Sequence, residues 1–83
     1  MLFKIKEKYL KNYTCISICE LDEAGARFFN DKFINPNQIK STPIISLSEP
    51  RNSVFSFFTD EIRRKVLING EVGWIYEDCL EEF

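Results

Sequence analysis

The sequence predicts an all-β domain, with room for one short helix, folded as a small antiparallel barrel of about five strands. Two apolar runs meet at Asn69-Gly70, a dipeptide that supplies both positive-φ residues of a type I′ hairpin turn. Residues 13–21 are rich in β-branched side chains and alternate with period two. Short apolar runs recur between turn-forming clusters along the chain, as they do in barrels and sandwiches.

Taken in order, Phe3 and Ile5 alternate with Lys4, Lys6 and Lys8, which predicts a basic N-terminal strand or arm over residues 1–11. From Tyr13 to Leu21, Ile16 and Ile18 point one way and Cys15, Ser17 and Cys19 the other; a turn at Asp22–Gly25 ends the strand. Residues 22–42 read as a long loop, because Phe28, Phe29, Phe33 and Ile34 are scattered among Asn30, Asp31, Asn35, Pro36 and Asn37. Their apolar content sends this loop back onto the core. Pro43 opens a strand over Ile44–Ser48, which Glu49–Asn52 terminates. Val54–Val66 supports two readings. Val54, Phe58, Ile62 and Val66 have helical spacing, while Val54–Phe58 has strand composition; a strand with a turn at Thr59–Glu61 is the preferred one. The hairpin follows, Val66–Ile68 and Glu71–Ile75 about Asn69-Gly70, then a tight turn at Tyr76–Cys79 and a closing strand at Leu80–Phe83.

Eighty-three residues make a single domain with a thin core. Eight Phe compensate, since each buried aromatic removes about 150–250 Å² from water. No signal peptide or membrane span is expected, because no apolar run approaches the ~20 residues of a spanning helix. Cys15 and Cys19, four apart in a strand, lie about 13 Å from one another and cannot bond. Three cysteines and no His make neither a disulfide framework nor a metal site, so free thiols in a reducing, cytoplasmic compartment are expected.

The C-terminal stretch Gly70–Phe83 resembles the end of Src-homology-3-like barrels, in which a hairpin leads to Gly, two apolar residues, one 3₁₀ turn and a last strand. Gly73, Trp74 and Ile75 match the first part, Glu77–Cys79 the turn, and Leu80 with Phe83 the last strand. Ile44–Pro50 is similar to the second strand of small barrel proteins encoded by bacteriophages. The resemblance covers residues 43–83 and implies a phage or mobile-element protein acting in the host cytoplasm. Tyr76 stands where proline-reading members carry Pro, and Cys79 where they carry Tyr, so a polyproline groove is not expected.

The residue inventory argues against an enzyme. His is absent, and Gly25, Gly70 and Gly73 form no phosphate loop. Glu77, Asp78 and Glu81 would raise the pKa of Cys79 and disarm it as a nucleophile. No catalytic residue, metal or cofactor is expected. Binding remains, and a protein partner is the first expectation, met by Trp74, Tyr76, Phe28 and Phe29 with Glu77 and Asp78 as an acidic edge. The alternative is an accessory barrel on RNA or DNA, using Lys4, Lys6 and Lys8 with Arg63, Arg64 and Lys65. A net charge of −2 disfavours it. The protein is expected as a monomer, or as a homodimer through an edge strand.

Overall fold

The computed structural model describes residues 1–23, 27–52 and 62–83. Among them, β1 (Leu2–Ile5) is followed by a short helix, α1 (Glu7–Asn12), and by β2 (Ile16–Leu21) and β3 (Phe28–Ile34). A 3₁₀ turn (Pro36–Ile39) leads to β4 (Ile44–Ser46), β5 (Arg51–Asn52), β6 (Ile62–Ile68) and β7 (Glu71–Tyr76). A second 3₁₀ turn (Glu77–Cys79) precedes β8 (Leu80–Glu82). Every pairing among these strands is antiparallel. The order is β3-β2-β7-β6-β4-β1-β8, with β5 joined to β6. Among the described residues this is an all-β fold with one short helix, but eight strands replace the expected five or so, and the sheet is open, with ends at β3 and β8. The surplus includes β3, an exposed or half-exposed stretch whose apolar residues do not alternate, and β5, two exposed polar residues with no apolar signal at all.

Residues 22–42 are not a continuous loop. β3 pairs with β2 from Leu21↔Phe28 to Ile16↔Ile34, and a register shift falls between Ile18 and Glu20. Asn30 takes φ 58 at that shift. This is a β-bulge with Asn in the left-handed position, and it hides the period-two signal in the sequence. Ile16 joins the core, whereas Cys19 is buried outside that cluster, opposite Trp74 on β7. Beyond β3, Asn35 caps the 3₁₀ turn by accepting from the Asn37 N–H at 2.9 Å, and Pro36 and Ile39 are buried.

The N-terminal segment divides at Lys6. β1 alternates as expected, but Glu7–Asn12 coil into α1, with a Glu7–Lys11 ion pair at 3.3 Å one turn apart. From the hairpin to the last strand the expectation holds, whereas β5 stands where a terminating turn was expected. β6 and β7 pair from Ile68↔Glu71 to Arg63↔Tyr76, and Asn69 and Gly70 take φ 52 and φ 79. At Gly73, β2 crosses so near that a Cβ would collide with Ile18 Cγ2. The reading of residues 54–61 as strand and turn lies outside the described residues.

Phe3, Ile5, Ile16, Ile39, Ile44, Val66, Ile68, Ile75, Cys79 and Leu80 form the core, gathered from both ends and the middle of the chain. Val66 and Ile68 face it from β6, so alternation turns Arg63 and Lys65 to the opposite face.

Candidate partner-binding groove

Arg63 is only 1% exposed. It lies directly across from Tyr76 on β7, and its guanidinium stacks on that ring, 3.8 Å from the centroid. Nη1 donates to the carbonyls of Trp74 (3.0 Å) and Ser17 (3.2 Å), and Nη2 donates to Ser17 Oγ (3.3 Å). Ser17 Oγ in turn donates to Asp31 Oδ1 (2.6 Å), and the same carboxylate oxygen lies 3.8 Å from Nη2. One side chain thus ties β6 to β2, β3 and β7. A planar fork of donors on a delocalised charge suits this role better than Lys would.

Beside Arg63 opens a groove of about 610 Å³, walled by Tyr9, Tyr13, Phe33, Tyr76, Asp31 and Asp78. Tyr9, on α1, and Tyr13, the extended residue that follows the helix, stack with centroids 4.8 Å apart. The Tyr9 hydroxyl donates to Asp78 Oδ2 at 2.7 Å. Burial and that bond raise the pKa of Tyr9, while the bond to Tyr9, then Lys8 and Lys6, hold the Asp78 carboxyl below its usual range. Tyr13 (50% exposed) and Phe33 (65%) keep much of their ring surface in solvent. Cys79 lines the groove from beneath, its thiol pushed up to about 11 by burial and then by Asp78. A thiol so held is neutral near pH 7, the inert form rather than the nucleophile. Among the described residues no group of three or more His, Cys, Asp or Glu is placed to hold a metal ion, and no helix is long and apolar enough to cross a membrane.

No protein-family model, curated protein or solved structure matches this chain. The geometry alone therefore has to speak for the site.

Of the residues expected to bind protein, Tyr76 and Asp78 border the groove. Phe29 is exposed on β3. Trp74 is interior, 9% exposed and packed on the half-buried Phe28 with ring centroids 5.6 Å apart. Glu77 is held internally: Arg64 Nε and Nη2 donate to its two oxygens at 2.7 and 2.9 Å. The residues expected on nucleic acid are largely engaged by the protein itself. Lys4 pairs with Glu81 (3.8 Å), directly across the β1–β8 ladder, and Lys6 and Lys8 flank Asp78 at 3.6 and 3.8 Å. Arg64 also donates to Ser46 Oγ and the Ser48 carbonyl, and Lys65 is half-buried. The basic beginning and the acidic end of the chain fold against one another.

Sequence reasoning missed Tyr9, Tyr13, Asp31 and Phe33. No local pattern joins them: Tyr9 is on α1, Tyr13 is the extended residue after it, and Asp31 and Phe33 come from β3.

Proposed function

We propose that this chain is a non-catalytic protein-binding domain whose partner surface is the groove over Arg63. The observation that carries this reading is the exposure of Tyr13 and Phe33 along a concave wall whose base is fixed by the buried, hydrogen-bonded Arg63. Large aromatic rings on a rigid support are good anchors for an interface, because little conformational freedom is lost when they are covered. The ion pairs on Lys4, Lys6, Lys8 and Arg64 weigh against the nucleic-acid reading. The Asn69-Gly70 hairpin, the 3₁₀ turn at Glu77–Cys79 and the short last strand support assigning the fold to Src-homology-3-like barrels, enlarged by the β2–β3 hairpin. On that assignment the partner is a host or phage protein of the cytoplasm, where three free thiols would stay reduced.

The test is affinity capture from lysate with Tyr13→Ala and Phe33→Ala beside Val72→Ala, an equally exposed position outside the groove. The reading expects a discrete protein to be captured by the wild type and Val72→Ala but not by the groove variants. Oligonucleotide binding that falls steeply between 50 and about 200 mM salt would overturn it.

A further inference from the structure

The two ends of the sheet differ in character. β8 is three residues long and includes Glu81 and Glu82, and shortness and charge both discourage an edge from pairing. β3 runs for seven residues, exposes Phe29 and Phe33, and pairs only with β2 among the described residues. Its outer side carries a row of backbone donors and acceptors that an extended chain can match. Asp31 and Phe33, two residues apart on this strand, both border the groove. Ser17 and Arg63 both meet Asp31 at Oδ1, so among the described residues Oδ2 has no donor. A cation brought alongside β3 would find that oxygen, and an apolar side chain two residues away would cover Phe33.

We propose that the outer edge of β3 accepts an extended segment of the partner protein as an added strand, with a Lys or Arg of that segment at Asp31 and an apolar side chain against Phe33. The inference rests on the protein-binding reading of the groove and gives that partner its chemistry. Backbone pairing supplies affinity, and the cation–apolar pair at alternate positions supplies register and selectivity.

The probes are blocked ten-residue peptides of alternating Thr and Val with a single central Arg, a Glu counterpart, and an Arg version N-methylated at alternate residues. They are titrated into the isotope-labelled full chain, with amide exchange followed residue by residue. Strand addition expects the Arg peptide to slow exchange along β3. The Glu peptide should bind about tenfold more weakly, the value of one charge-assisted contact. Asp31→Asn should narrow that gap. Because Asp31→Asn also disturbs Ser17 and Arg63, Phe33→Lys serves as the second variant; it keeps the fold and loses the peptide. N-methylation at the alternate residues whose amides face β3 should abolish binding. Binding that shifts Tyr13 and Tyr76 while β3 exchange is unchanged would overturn strand addition and leave the groove reading standing. Failure of every peptide would overturn strand addition too, and the capture assay would still judge the groove.

Discussion

Replacing Arg63 by Ala removes a side chain that joins four strands on the groove side of the sheet. The carbonyls of Ser17 and Trp74 lose a charged donor, Asp31 loses its nearest cation, and Tyr76 loses the surface beneath its ring. Hydrogen bonds to a charged group contribute about 1.5–3 kcal/mol each, and breaking a buried ionic network costs about 3–5 kcal/mol in total. A chain of 83 residues is stable by only about 4–12 kcal/mol, so the loss is a large share of the whole. With a urea slope near 1 kcal/mol/M for a domain this small, the midpoint should fall by about 3 M. Trp74, the sole Trp and an interior one, reports unfolding by its fluorescence. Arg63→Lys, which keeps the charge but not the fork, should recover part of the loss. Lys65→Ala, the next position on the same face, should cost less than about 1 kcal/mol. If Arg63→Ala moved the midpoint no further than Lys65→Ala, Arg63 would not be the support described here.

Other consequences are equally direct. Gly73→Ala should destabilise more than Gly70→Ala. The first drives a methyl into Ile18, at about 1–3 kcal/mol for overpacking, while the second costs about 1 kcal/mol for its φ of +79; thermal melts of both compare them. Native protein treated with iodoacetamide should take one label, at exposed Cys15, and three only after denaturation, by intact mass. Asp78 has a folded-state pKa below its ordinary 3.8, so its contribution is present above that value and is lost as pH falls through the lowered one. Asp78→Asn should therefore flatten the acid limb of the stability profile below pH ~4. Glu77→Ala strands the mostly buried Arg64 guanidinium and should cost about 2 kcal/mol, between an exposed pair and a fully buried one, by urea titration.

What could be read from the sequence was what neighbouring residues decide. Asn69-Gly70 needs only its own backbone preferences and two flanking apolar runs, so the hairpin and the turn and strand after it were placed correctly. β3 escaped because the bulge at Asn30 breaks its alternation and because it buries no residue fully, Phe28 and Ile34 being only half-buried. α1 escaped because Lys4, Lys6 and Lys8 suit a strand as well as they suit a helix surface. Arg63-Arg64-Lys65 looked like a basic run; strand alternation sends Arg63 and Arg64 to opposite faces, each to partners from distant segments. The charge asymmetry between the ends was visible, but not that β1 and β8 would lie side by side and cancel it. The groove depends on α1, β2, β3 and β7 meeting, and no local pattern announces that.

The central claim is that a partner protein sits on the wall formed by Tyr13 and Phe33. Site-specific photo-crosslinking in cells tests it most directly, with p-benzoylphenylalanine placed singly at positions 13, 33, 72 and 81. Adducts of one partner at 13 and 33, with little at 72 and 81, are the expected pattern. Adducts concentrated at 72 or 81, with none at the groove, would contradict it.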